Sequence, residues 1–186
     1  PLLIQKISLG FDVVAFSFRN ITDQLHKGKQ YTPIVKELVS QARRAIHGLG
    51  LSTVLVVGGA GFSLLPAEML RLIGADYGVS GEGETALLDL IQKIEKNEKP
   101  KSRLLFDKVP LSNIEYTRGS WGYISEYQDR GVWGNIQSKR GCNRKCIYCS
   151  YPVIEGKLFR LRNPDLVAKE ALQLINLGFD QLYFVD

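Results

Sequence analysis

Sulfur and histidine are scarce in this chain of 186 residues: Met69 is the only methionine, His26 and His47 the only histidines, and Cys142, Cys146 and Cys149 the only cysteines. Both histidines lie far upstream of the thiols, so a mixed cysteine-histidine knuckle has no second half in the sequence. An odd number of cysteines leaves one thiol over, which argues against a disulfide framework. No apolar run is long enough to span a bilayer as a helix, and no signal peptide is visible. The chain starts at Pro1 and its lone methionine is internal, so Pro1 is not expected to be the initiator end. Charge is balanced to a net +5, an excess too small to require nucleic acid as a partner. With 45% hydrophobic and 23% charged residues, the composition predicts a soluble intracellular protein with no membrane or nucleic-acid partner.

The three cysteines fall in one run, Arg140-Gly141-Cys142-Asn143-Arg144-Lys145-Cys146-Ile147-Tyr148-Cys149. Three thiolates in one short loop can hold three irons of a four-iron, four-sulfur cluster, whose usual complement is four cysteines. The fourth iron is then open to a substrate or cofactor. A tetrahedral zinc site and three unligated thiols are the competing readings; the first wants a fourth ligand, and the second fits poorly with thiols gathered in a polar loop. Lys139, Arg140, Arg144 and Lys145 make the surroundings positive. Such a field would stabilise a cluster or attract an acidic donor, although ordinary solvated surface charge explains it as well.

Read as C-x3-C-x-aromatic-C, the residues Cys142, Cys146, Tyr148 and Cys149 resemble the cluster motif of the radical S-adenosylmethionine superfamily. The preceding segment, Asn135 to Gly141, resembles that family's first barrel strand, with the cysteines following at its C-terminal end. In barrels that end carries the active site. The resemblance implies that the amino and carboxylate groups of S-adenosylmethionine chelate the open iron. One electron from the reduced cluster then splits the sulfonium into methionine and a 5'-deoxyadenosyl radical. It also places Tyr148 beside the adenine, where packing of the ring against its own loop is the alternative. A reducing electron donor such as flavodoxin or ferredoxin is implied, and an oxygen-sensitive cluster points to the cytoplasm.

The first hundred residues alternate between strand and helix patterns, which predicts a parallel sheet covered by helices. Phe11 to Phe18 is β-rich. Thr32 or Pro33 opens a helix to about His47, with Ile34, Val35, Leu38, Val39, Ala42 and Ile46 as its apolar stripe. A strand over Ser52 to Val57 ends in Gly58-Gly59-Ala60-Gly61-Phe62-Ser63. A helix near Pro66 to Ile73, a strand Tyr77 to Ser80, and Gly81-Glu82-Gly83-Glu84 opening a helix to about Lys96 complete the series.

The G-G-x-G run is not a dinucleotide fingerprint. It permits close approach of backbone to a ligand at a sheet edge, or simply a tight turn. Together with Pro66-Ala67-Glu68, Gly74-Ala75-Asp76-Tyr77 and Gly81 to Glu84, however, it resembles the cobalamin-binding domain that precedes the barrel in the B12-dependent branch of the superfamily, over roughly residues 10 to 95. The D-x-H-x-x-G signature of an axial histidine is absent. About three strands are expected, and the resemblance implies two more strand-helix units before Phe11 in a complete domain. It also implies a corrin near Phe16 to Thr22, with Gly58, Gly59, Gly61, Ser63, Gly81, Glu82 and Gly83 toward the nucleotide tail. Arg19 would lie beneath the corrin, discouraging lower-axial ligation; a salt bridge or solvent contact is the plainer role for it.

Residues 98–131 are expected to join the two parts. Lys99-Pro100-Lys101 ends the preceding helix, and Tyr116, Trp121, Tyr123, Tyr127 and Trp133 crowd in with glycines at 119, 122, 131 and 134. Such a cluster would line a substrate path or pack at a seam. Asn163-Pro164-Asp165 caps a further helix whose inner face is Leu166, Val167, Ala171, Leu174, Ile175 and Leu177, closed by Gly178. Gln181 to Val185 is the next strand, and Asp186 stands at its C-terminal rim.

The expected fold class is α/β, a partial Rossmann-like sheet of the B12-binding type followed by the first strand-helix-strand of a partial TIM barrel. The expected divisions are 1–97, 98–131 and 132–186. No catalytic residue can be assigned, and two barrel strands make this a segment of an enzyme. The resemblance implies methyl transfer through cobalamin to an unactivated carbon of a small-molecule or peptide substrate. Cyclisation, ring rearrangement and methylthiolation are the enzymatic alternatives, and an iron-sulfur scaffold or zinc module the non-catalytic ones.

Overall fold

The computed structural model describes residues 2–23, 28–118 and 124–186. His26, Gly119, Trp121, Gly122 and Tyr123, named above, lie outside the described residues. The chain divides into two compact units, Pro1–Lys108 and Val109–Asp186.

In the first unit the elements run α1 (Leu2–Ile7), β1 (Val13–Ser17), α2 (Thr32–Gly48), β2 (Val54–Gly58), α3 (Ala60–Ser63), α4 (Pro66–Ile73), β3 (Tyr77–Gly81), α5 (Glu84–Glu95) and β4 (Leu104–Asp107). The four strands form one parallel sheet in the order β1-β2-β3-β4. β2 is an unbroken apolar run because both its faces are covered. Leu55 and Val57 face a core built from Val35, Val39, Ala42 and Ile46 of α2 and Met69, Leu70 and Ile73 of α4. Val56 faces the other way, against Val79, Ala86 and Leu90.

Two expectations need correction here. α2 buries Val35, Val39, Ala42 and Ile46, a stripe at strict i, i+4, i+7 spacing, while Ile34 and Leu38 are exposed beside it. The sheet also has a fourth strand, β4, inside the stretch read as a join. It pairs with β3 from Gly78↔Leu104 to Gly81↔Asp107. β4 is an edge strand of four residues with Phe106 exposed, so it lacks the continuous apolar run that marks a buried one.

The second unit contains a 3-10 turn (Leu111–Asn113), α6 (Ile124–Asp129), β5 (Gly134–Ile136), β6 (Lys139–Arg140), α7 (Tyr151–Ile154), β7 (Arg160–Leu161), α8 (Pro164–Asn176) and β8 (Leu182–Phe184). β5 and β8 are parallel neighbours joined through α8, and β6 and β7 form an antiparallel ribbon. The strand expected over Asn135 to Gly141 is therefore two strands. Its first half pairs with β8, and after Gln137-Ser138 the chain changes partner, setting Lys139 against Leu161 and Arg140 against Arg160.

α8 starts as the sequence predicts: the Asn163 side chain accepts the Asp165 N–H at 2.9 Å, and Pro164 occupies the first turn. Its inner face differs. Leu174 is buried, Leu166, Val167, Ala171 and Leu177 are half-buried, Ile175 is exposed, and the position most deeply buried is a carboxylate, Glu170. No described helix is long and apolar enough to cross a membrane.

Candidate functional site

The cysteine loop leaves β6 at Gly141. This residue has φ +83°, and a Cβ on it would lie 2.1 Å from the Leu158 carbonyl oxygen. Only glycine fits both the left-handed backbone and the close approach. The next residue is clasped as well, since the Cys142 N–H donates to the Gly156 carbonyl at 3.0 Å. Farther out, the Cys149 N–H donates to the Cys146 carbonyl at 3.2 Å, closing a small turn. All three thiols are free; Cys146 is exposed and the other two half-buried. Among the described residues, no three His, Cys, Asp or Glu side chains stand close enough together to hold one ion. Tyr148, at the apex, is 89% exposed and does not pack against its own loop.

Beneath the loop lies a polar network that sequence reasoning missed. Glu155 receives the Gly141 N–H at 3.1 Å on one carboxylate oxygen and the Gln137 Nε2 at 3.2 Å on the other. Gln137 accepts Arg140 Nε at 3.0 Å, and Arg140 Nη2 reaches the Tyr116 hydroxyl at 2.5 Å. The Tyr116 ring also stacks under the Arg162 guanidinium, 4.5 Å from its centroid. Arg162 and Glu170 are each 1% exposed and pair at 2.5 Å. Arg118 pairs with the other oxygen of the same carboxylate. Two guanidinium groups around one carboxylate compensate a charge that burial alone would strongly disfavour.

The one signal available in sequence was the Arg160-Leu161-Arg162 alternation, which puts both arginines on one face of an extended segment. Of the two it is Arg162 that pairs with Glu170, whose partners Arg118 and Arg162 lie 52 and 8 residues away in the chain, so the triad has no local motif.

Asp186, expected at the rim, is turned inward onto the start of the same loop. Its carboxylate accepts the Ser138 N–H at 2.6 Å, the Ser138 hydroxyl, and the Lys139 N–H at 3.1 Å. Burial pushes its pKa up, but these hydrogen bonds and the Lys139 charge outweigh that and hold the carboxyl below the usual range.

In the first unit, the residues expected near cobalamin collect at the C-terminal ends of β1, β2 and β3. Gly59 has φ +96°, and a Cβ there would lie 2.5 Å from the Phe18 carbonyl oxygen. A Cβ on Gly61 would meet the Phe18 ring at 2.8 Å, and one on Gly58 the Val79 carbonyl at 3.1 Å. The close approach these glycines permit is thus to neighbouring strands of the chain itself. Ser63 donates to the Gly59 carbonyl at 2.9 Å and accepts the Gly81 N–H at 2.8 Å, tying the loops after β2 and β3 together. Glu82 is buried and Gly83 has ordinary contacts. Arg19 is exposed and makes no hydrogen bond or ion pair with a described residue, so the salt-bridge role is not realised.

No protein-family model matches the chain. It is 27% identical over 130 residues to the threonylcarbamoyladenosine tRNA methylthiotransferase MtaB of Bacillus subtilis (strain 168), covering 69% of this chain and 27% of that protein. It is 27% identical over 158 residues to the hopanoid C-2 methylase of Rhodopseudomonas palustris (strain TIE-1), covering 82% of this chain and 28% of that protein. Among solved structures, the radical S-adenosylmethionine methyltransferase TsrM from Kitasatospora setae, with cobalamin and a [4Fe-4S] cluster bound, superposes with a TM-score of 0.81 at 21% identity. That match covers 98% of this chain and 39% of TsrM. The chain spans little more than a quarter of the curated relatives' length. Similarity of sequence and of fold bears out the resemblance carried by the cysteine and glycine motifs, to the radical S-adenosylmethionine superfamily and its cobalamin-binding branch.

Proposed function

We propose that this chain forms the cofactor-binding portion of a cobalamin-dependent radical S-adenosylmethionine methyltransferase, with Cys142, Cys146 and Cys149 as ligands of a [4Fe-4S] cluster. One observation carries the reading: three unpaired thiols within eight residues, on a loop clasped at its root by Gly141 and Cys142 and solvent-reachable beyond it. The donor set fits the group, since soft thiolates favour iron-sulfur clusters and three of them leave one iron for a cofactor. When bound, the cluster supplies the electron that cleaves S-adenosylmethionine to methionine and a 5'-deoxyadenosyl radical.

The protein's own part is to bind, orient and exclude water. Tyr148 offers an exposed aromatic face to the adenine. Arg144 and Lys145, both exposed, give an acidic electron donor such as flavodoxin or ferredoxin a positive surface to meet. In the first unit, the loops at Gly58 to Ser63 and Gly81 to Gly83 form a floor for cobalamin, and Arg19 is the cation available to it. The substrate is a small molecule or peptide, as the likeness to a hopanoid methylase supports, and the compartment is the cytoplasm. Methylthiolation is the second reading, favoured by the likeness to MtaB.

The test is electron paramagnetic resonance on anaerobically reconstituted, dithionite-reduced protein, with and without S-adenosylmethionine. A cluster signal that shifts with the cofactor supports the reading. A cluster indifferent to it leaves an iron-sulfur scaffold, and zinc without iron or acid-labile sulfide leaves a zinc module; either overturns it.

A further inference from the structure

From the clasp beneath the cysteine loop we infer that Glu155 is a positioning residue for the cluster: it fixes the backbone at Gly141, and through it the place of the first ligand, Cys142. The inference rests on the proposed function, because it gives a task to a side chain that does not ligate iron.

Glu155 is itself held at three points. Its N–H donates to the Tyr151 carbonyl at 2.8 Å at the end of α7. Its carbonyl accepts Arg160 Nη2 at 2.9 Å. Its carboxylate spans Gly141 and Gln137, at 3.1 and 3.2 Å. A carboxylate so anchored is a fixed point, and a charge-assisted bond from it to a backbone N–H is stronger than a neutral one. The neighbouring Gly156 carbonyl takes the Cys142 N–H, so residues 155 and 156 grip two successive amides at the root of the loop. A ligand whose backbone is fixed before iron arrives loses less freedom on coordination, which favours assembly.

The experiment uses the full chain in wild type, Glu155→Ala and Glu155→Gln, with Glu115→Ala, an exposed ion-pair partner of Lys169 in the same unit, as control. Two readouts are taken: amide hydrogen exchange in the iron-free protein, and iron and sulfide bound after anaerobic reconstitution with ferrous iron and sulfide. In Glu155→Ala the Gly141 amide should exchange about tenfold faster. The Arg162 amide, bonded to the Ser138 carbonyl at 2.9 Å, should be unchanged. Cluster loading should fall severalfold in Glu155→Ala, recover largely in Glu155→Gln, whose amide oxygen still accepts the Gly141 N–H, and equal wild type in Glu115→Ala. Wild-type loading in Glu155→Ala overturns the inference. So does faster exchange across the whole unit, which would make Glu155 a general stabiliser. If wild type itself binds no iron and sulfide, the proposed function fails first, and the inference with it.

Discussion

The Cα of Gly141 points at the backbone of Leu158, so closely that a Cβ would lie 2.1 Å from that carbonyl oxygen. Gly141→Ala must therefore both strain a left-handed backbone and displace the turn that leads into β7. The expected loss is at least about 2 kcal/mol of unfolding free energy, from the two effects together. Gly131 also has positive φ, +64°, but a Cβ there meets nothing within 4 Å. Gly131→Ala should cost only about 1 kcal/mol. Urea unfolding of the two variants separates strain from collision.

Glu170→Ala strips the carboxylate from between Arg118 and Arg162. The Arg162 guanidinium is then buried beside a second cation with no counter-charge, and the expected destabilisation is about 3–5 kcal/mol. Lys169→Ala, one position along α8 and on an exposed pair with Glu115, should change stability by less than about 1 kcal/mol. Equal midpoints for the two variants would mean that the buried triad is not a stabilising unit.

Alanine at Cys142, Cys146 or Cys149 should each remove the cluster signal that responds to S-adenosylmethionine, since a cluster with two protein thiolates is short of ligands. Iron and acid-labile sulfide analysis checks the loss directly. A variant that keeps its full complement of both is not a ligand variant, and the assignment at that position would fall.

Asp186 sets a pH dependence whose sign is fixed by its depressed pKa. A carboxyl held below its unfolded value contributes stability that is present above the unfolded pKa and lost as pH falls through the folded one. Thermal midpoints should therefore drop on acidification below the ordinary carboxylate range, and the drop should be shallower in Asp186→Asn. Asp107 has a lowered pKa of the same sign, chiefly from the Thr85 hydroxyl and then the Lys108 N–H. A residual slope in Asp186→Asn is thus expected, and Asp107→Asn should remove part of it.

Arg19→Ala tests the cobalamin assignment. If the guanidinium discourages lower-axial ligation, the visible spectrum of bound cobalamin should differ between variant and wild type. Identical spectra would remove Arg19 from the site while leaving the loops at Gly58 to Ser63 and Gly81 to Gly83 to be tested by binding alone.

Much of the first unit was legible because its strands and helices follow strong periods. β2 is four apolar residues in a row before its glycine, and α4 runs from Pro66 to Ile73 as read. β4 was not legible, since an edge strand needs apolar residues on only part of its surface. The break between β5 and β6 was invisible for another reason: a strand that changes partner keeps its extended pattern. In the candidate site, the three cysteines announced themselves by type and spacing, whereas the need for glycine at 141 shows only in the fold. Glu155, Glu170 and Arg162 did not, because a buried charge is defined by partners that only the fold supplies. The glycines at 59 and 61 show the converse, a run conspicuous in sequence whose immediate reason in the fold is the Phe18 backbone and ring.

Ser63 gives the first unit a mechanical property of its own. Its single hydroxyl gives its proton to Gly59 and takes one from Gly81, so the turns after β2 and β3 share one fastening. Anything that lifts one turn must first release that hydroxyl from the other. The two turns are therefore coupled through one bond, and separating them costs the hydrogen bond from the Gly81 N–H to Ser63.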